Sequence, residues 1–293
     1  MPVRPPIFPL LTAALALSLI APAARADAAL DAAIALFKAK QFPAARAALE
    51  KIAAAEPANA AACYYLGQTV LRRGDATALD DAVPWFEKAS QLEPNNAKYL
   101  ADFGGASMQL AGKNTSYSAA AKGRDAMEQA IKLDPDNLDA REGLMQFYDR
   151  APWPIGSSSK ADTQLEEIRK RDPDRAIVLG VSQKVRAKDF AAAFKILDEA
   201  LAKNPANYNA LYIYGRTASI SGQNLERGCD CLKRCLTLPQ PGPASPSPSN
   251  VWNRLGNVDE KLQRPAEARA AYETALRLDP ANRQAADALA KLK

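Results

Sequence analysis

Asn250-Val251-Trp252-Asn253-Arg254-Leu255-Gly256, followed by Ala268, Tyr272 and Ala275 and closed by Leu278-Asp279-Pro280, decides the fold. Trp252, Leu255 and Gly256 stand at i, i+3 and i+4, so one face of a helix carries all three. The missing side chain of Gly256 lets a partner helix come close. Ala268, Tyr272 and Ala275 make the matching stripe of a second helix, small, large and small, as a tight antiparallel pair requires. Proline then ends the helix, because it lacks a backbone donor and restricts the residue before it.

Working outward, the same closing proline recurs at Pro57, Pro94, Pro135, Pro173, Pro205, Pro239 and Pro280, every 32 to 41 residues. That period belongs to stacked helix pairs. The spacing W-x2-L-G, then A-x3-Y-x2-A, then D-P resembles the tetratricopeptide repeat. The resemblance implies an all-α fold, a superhelical solenoid of about seven antiparallel helix pairs.

Other copies keep the frame with departures. The second has Cys63, Leu66 and Gly67, then Ala82, Phe86 and Ala89, with about three extra residues around Asp75 to Leu79. The third has Leu100, Phe103 and Gly104, an enlarged turn through Lys113-Asn114-Thr115-Ser116, then Gly123, Met127 and Ala130. The fourth has Arg141, Leu144 and Tyr148, an insertion from Ala151 to Ser159, then Ala161, Leu165 and Ile168. The fifth is worn in its first helix, with Ile177, Val181 and Val185 ahead of Ala193, Leu197 and Ala200. The sixth reads Leu211, Tyr214 and Gly215, and Gly228, Leu232 and Cys235 face inward if one residue is inserted. Ala29, Ala33 and Phe37 ahead of Ala45, Leu49 and Ile52 make an atypical first copy, as an end cap should be.

Residues 1–26 read differently. Arg4 precedes an apolar stretch from Leu10 to Ile20, and Ala24-Arg25-Ala26 offers small residues at the positions a signal peptidase reads, so a secretory signal peptide cleaved after Ala26 is expected. The apolar stretch is shorter than the ~20 residues of a membrane span. The expected organisation is then a signal peptide over 1–26, repeats one to six over 27–238, a Pro/Ser-rich connection over 239–250, and repeat seven with a C-terminal helix over 251–293. The connection serves as a hinge or as a long turn, and the fit of Trp252 and Leu255 to packing positions favours the turn.

Composition narrows the chemistry. The net charge is +5 and falls to +3 without Arg4 and Arg25; the charges are interspersed, which gives nucleic acid no footing. Arg169-Lys170-Arg171 sits in a last helical turn, where cations favour the helix C-terminus. No histidine is present, which excludes Ser-His-Asp and Cys-His catalysis, H-E-x-x-H zinc sites and c-type haem attachment. Cys229, Cys231 and Cys235 fall within a turn and a half of helix, and only Cys231 and Cys235 share a face. They are expected as core cysteines, with a local or intermolecular disulfide as the alternative, and no metal or cofactor is expected. The chain is not expected to be an enzyme.

In proteins of the resembled family, first helices line a groove that receives a peptide or a partner helix. Carried over, this implies Tyr64, Gln68 and Arg72 in the second copy, and Glu142, Gln146 and Arg150 in the fourth. Tyr212 and Arg216 in the sixth follow, then Asn253, Asn257 and Lys261 in the seventh. These amides, aromatics and guanidinium groups suit a peptide backbone and a carboxylate. Trp153, in a proline-stiffened insertion, is either an anchor for a partner or a cover for the widened gap between its helices. The expected function is a non-catalytic adaptor or scaffold in the bacterial cell envelope, periplasmic or secreted, with another envelope protein or peptide segment as partner. The alternatives are a small-molecule or glycan-binding accessory of an envelope polysaccharide system, and a self-assembling structural protein.

Overall fold

The computed structural model describes residues 22–152 and 155–292, with side chains from residue 28 onward. Most of the signal-peptide reading, together with Trp153, lies outside the described residues; the expected cleavage point after Ala26 falls in the first turns of α1. Fifteen α-helices and no strand occur among the described residues. They are α1 (Pro22–Lys38), α2 (Phe42–Ala55), α3 (Ala60–Leu71), α4 (Ala78–Leu92), α5 (Ala97–Asn114), α6 (Tyr117–Leu133), α7 (Leu138–Arg150), α8 (Ser158–Arg171), α9 (Pro173–Arg186), α10 (Phe190–Lys203), α11 (Tyr208–Ser221), α12 (Leu225–Leu236), α13 (Pro248–Lys261), α14 (Pro265–Leu278) and α15 (Arg283–Lys291). Consecutive odd and even helices form the seven expected pairs, and α15 follows the last. The chain divides into two compact units, Met1–Gly123 and Arg124–Lys293, with the division inside α6.

Within each unit the pairs interlock at the spacings read from sequence. A Cβ on Gly67 would lie 2.9 Å from the Phe86 ring, and one on Gly256 would lie 2.5 Å from the Tyr272 ring. Gly215 meets Leu232, and a Cβ on Gly228 would lie 2.6 Å from that of Ala218. The sixth pair is therefore in the register that one inserted residue requires. In the first pair Ala33, Ala45 and Leu49 are fully buried, so small side chains replace the glycine and aromatic interlock.

The joints explain why the helices start and stop where they do. Asn59, Asn96, Asn137, Asn207 and Asn282 each stand two residues after a closing proline, and each side chain accepts the backbone N–H three residues on. These caps satisfy one of the orphan donors at each helix start. Asp172 does double duty: its N–H donates to Ile168 O at 2.7 Å to end α8, and its carboxylate accepts from Arg175 N at 2.9 Å to open α9. Pro173 therefore begins a helix, at the N1 position where its missing donor costs nothing.

Among the described residues, six of the within-pair turns carry residues in the left-handed region, namely Lys40, Gly74, Thr115, Lys188, Gly222 together with Asn224, and Gln263, with φ between 51° and 74°. After four of them the chain donates back over five residues, from Gln41 to Leu36, Asp189 to Lys184 and Arg264 to Asp259 at 2.9 Å, and from Ser116 to Ala111 at 3.1 Å. That bond closes the end of the preceding helix.

Two boundaries differ from expectation. The enlarged turn at Lys113-Asn114-Thr115-Ser116 is instead a longer helix: α5 runs on through Asn114, and the left-handed Thr115 makes the turn tight. The Pro/Ser-rich connection ends early, because Ser247 caps α13 and Pro248 takes its N1 position. Ser249 is then buried, with its hydroxyl donating to Ala275 O at 2.9 Å. The connection is also tied down from α11, where the Tyr208 hydroxyl donates to Pro246 O at 2.7 Å.

Candidate functional site

In the first unit, α3 presents Tyr64, Gln68 and Arg72 one turn apart. Tyr64 is buried, and its hydroxyl donates to Asp102 on α5 at 2.6 Å. Gln68 Nε2 donates to the Tyr64 hydroxyl at 2.9 Å and to Asp102 at 3.1 Å. Lys98 Nζ donates to the same carboxylate at 3.0 Å and sits 4.9 Å above the Tyr64 ring, while Tyr99 stacks on that ring at 4.6 Å. Burial, with the Asp102 contact second, pushes the Tyr64 phenol up to about 12. Tyr64 and Gln68 are thus ties between successive first helices, and Arg72 is exposed at the end of α3.

In the second unit, α7 carries Glu142, Gln146 and Arg150. Gln146 donates to Glu142 at 2.7 Å, and Glu142 also takes Arg175 Nε from α9 at 2.8 Å. Arg175 reaches Asp139 at 2.7 Å as well, and Arg186 on α9 pairs with Asp149. Arg150 is exposed.

Farther along the second unit, Tyr212 is half-buried on α11 and Arg216 is exposed one turn later. On α13, Asn253 is buried; its amide donates to Gln284 on α15 at 3.2 Å, and its Oδ1 has no partner. Asn257 accepts the Tyr272 hydroxyl at 2.8 Å, and Lys261 is exposed. Arg72, Arg150, Arg216 and Lys261 stand on the first helices of four pairs, and none has a carboxylate at ion-pair distance among the described residues.

Sequence reading passed over several contributors. Lys98 and Asp102 were visible as an i, i+4 pair of opposite charge. Arg254 carried no such signal: it spans from α13 to α11, where Nη1 donates to Ser219 Oγ at 3.3 Å.

Cys63, Cys229, Cys231 and Cys235 are all buried and unpaired. Cys229 Sγ donates to Asp259 at 3.8 Å, and Cys235 Sγ donates to Tyr208 O at 3.6 Å. No group of side chains suited to a metal occurs among the described residues. A cleft of about 600 Å³ runs between α10 and α12, lined by Asp198, Leu201, Ala202, Arg227, Asp230, Cys231, Lys233 and Arg234. None of the described helices is long and apolar enough to cross a membrane.

Residues 30–97 and 249–282 each match a family model of the tetratricopeptide repeat. These two segments are similar to the tetratricopeptide repeat. The matched segments run from within α1 through α4 and over the pair α13/α14, and of the pairs between them α11/α12 keeps the close glycine contact, Gly215 on Leu232. No curated protein matches the chain. Among solved structures, a tetratricopeptide repeat protein from Parabacteroides merdae superposes with a TM-score of 0.62 at 13% identity, over 90% of this chain and 97% of that one. MamA matches at a TM-score of 0.48 and 23% identity, over 59% of this chain and 94% of its own. PilW, a type IV pilus biogenesis factor, matches at 0.49 and 15%, over 90% and 98%. The Parabacteroides protein shares the fold.

Proposed function

We propose that this tetratricopeptide-repeat chain is a non-catalytic adaptor of the bacterial cell envelope, holding protein segments against the first helices of its pairs. The observation that carries the reading is the set of exposed, ionically unpaired cations Arg72, Arg150, Arg216 and Lys261 on those helices. Other charges on the same faces are consumed in ties such as Arg175 with Asp139 and Glu142. An arginine left without a carboxylate is free to take one from a partner. Export is supported by the pattern of residues 1–26. The cleft between α10 and α12 has no aromatic side chain on which a sugar ring could stack, and the glycan reading gains nothing from it.

Affinity capture from an envelope fraction tests the proposal, with the wild type beside Arg72→Glu/Arg216→Glu. A set of partners recovered by the wild type and lost by the double variant supports the adaptor role. Equal recovery by both refutes it. Fusion of residues 1–26 to a reporter tests export separately.

A further inference from the structure

The seventh pair buries an ionisable group where other pairs bury a neutral one. Val70, Ser107, Gln183 and Ala218 stand three residues after Gly67, Gly104, Gly180 and Gly215, and all four are buried. The same position after Gly256 holds Asp259, which is 5% exposed. Little compensates its carboxylate. The side-chain hydrogen bond it receives comes from Cys229 Sγ on α12 at 3.8 Å, and a thiol is a weak donor. No cation stands at ion-pair distance from it among the described residues. Its own helix adds to the cost, because Asp259 lies in the last turn of α13, the partially negative end.

The charges around it are spent or distant. From α12, Lys233 is exposed, and Asp230 lines the cleft on the α10 side. From the turn after α13, Arg264 donates through Nη2 to Glu226 at 2.6 Å. Glu267 on α14 is exposed, while the Tyr272 hydroxyl is taken up by Glu260 and Asn257. The charged residues of α11 and α15, namely Arg216, Arg283, Asp287 and Lys291, are exposed. Burial therefore holds the Asp259 carboxyl above the ordinary carboxylate range; Lys233 and Arg264 oppose that, and Glu267 adds to it.

We propose that Asp259 makes the docking of the seventh pair on α12 an acid-tightened joint, closed by protonation and loosened by ionisation. Each pair in such a stack touches only its neighbours, so α13 and α14 can leave α12 without unfolding the pairs before it. The docked carboxyl holds a proton that the same carboxyl releases once it has met water. Stability of the joint consequently rises as pH falls through the docked value, and the gain is complete below the ordinary value of about 3.9. Above the docked value the uncompensated buried charge weakens the joint in full. Ala218, the counterpart in the sixth pair, brings no such dependence.

Hydrogen exchange of the full chain, read by mass spectrometry over α12 to α14 from about pH 4 to 8 and corrected for the chemical exchange rate, tests the proposal. Opening of α13 and α14 in the wild type should become more frequent as pH rises, by up to about tenfold per pH unit within the window. Asp259→Asn, neutral throughout, should open rarely and lose that dependence. Acid weakens the ion pair of Arg264 with Glu226 in both chains, so their difference isolates Asp259. Two exposed variants should act in opposite directions: Lys233→Gln removes an opposing cation and moves the transition to higher pH, whereas Glu267→Gln moves it to lower pH. These decide the case even if Asp259→Asn fails to fold. A wild-type joint that opens no more often as pH rises, an Asp259→Asn chain with the wild-type dependence, or shifts in Lys233→Gln and Glu267→Gln that are absent or share a sign would overturn the inference.

Discussion

Gly256 and Tyr272 occupy one another's space: a Cβ on Gly256 would lie 2.5 Å from Cε1 of a ring that is fully buried and hydrogen-bonded through its hydroxyl to Asn257. The close approach of α13 and α14 depends on that missing methyl.

Gly256→Ala should therefore destabilise the chain although alanine is the better helix former. The ring is packed on all sides and its hydroxyl is tethered, so it cannot swing away without breaking that bond. Overpacking of this kind costs about 1–3 kcal/mol, and a fully buried, tethered ring puts it toward the upper end, above the ~1 kcal/mol that alanine gains in helix propensity. A fall in the urea midpoint checks it, and an unchanged or higher midpoint would show that the two helices separate freely.

Gln263→Gly should act in the opposite direction. Gln263 holds φ at 59°, where a Cβ crowds the backbone, and its side chain is exposed. Relief of that crowding, less the added freedom of the unfolded glycine, should raise stability by about 0.5–1 kcal/mol. The readout is a higher urea midpoint at constant slope. Lys40→Gly and Lys188→Gly should behave alike.

High pH should unfold the chain over a defined window. Burial raises Tyr64, Tyr148, Tyr208 and Tyr214 from the ordinary value near 10 up to about 12, and raises Tyr272 further. The folded state therefore keeps protons that the unfolded state has released. Their stabilisation is complete below pH 10 and is lost as pH climbs toward 12. Far-UV circular dichroism and tyrosinate absorbance should change together there. Tyrosine ionisation near pH 10 with helicity intact would contradict this burial.

The four thiols should be silent in the folded chain. Burial raises all of them, and brings Cys231 and Cys235 to about 11. Since the thiolate is the reactive form, labelling at neutral pH should require denaturant and then reach all four. Rapid labelling of Cys231 or Cys235 without denaturant would mean that α12 opens readily.

Much of this fold was legible because its packing is periodic. Trp252, Leu255, Gly256 and Tyr272 sit in one helical pair, so their spacing alone placed them. Even the displaced register of Gly215 on Leu232 could be read, since only a one-residue shift puts a large side chain opposite the glycine. The asparagine caps two residues after the prolines were equally available and went unread. Contacts between successive pairs are another matter. Tyr64 and Asp102 are 38 residues apart, and nothing local in the sequence says that this tyrosine turns inward while Arg72, two turns later, stays exposed. Arg254 was hidden for the same reason, its Ser219 partner being 35 residues away on another helix.

A joint made of one residue has no slack. Because Asp172 is the last word of α8 and the first of α9, the angle between those helices is fixed by a single peptide unit, and lengthening the chain there would sever both of its bonds at once. The span from Pro239 to Ser247 has spare length by comparison, with Pro243 and Ala244 exposed. Foreign sequence grafted into the chain would find room at that loop, whereas the same graft at Asp172 would throw every helix beyond it out of phase.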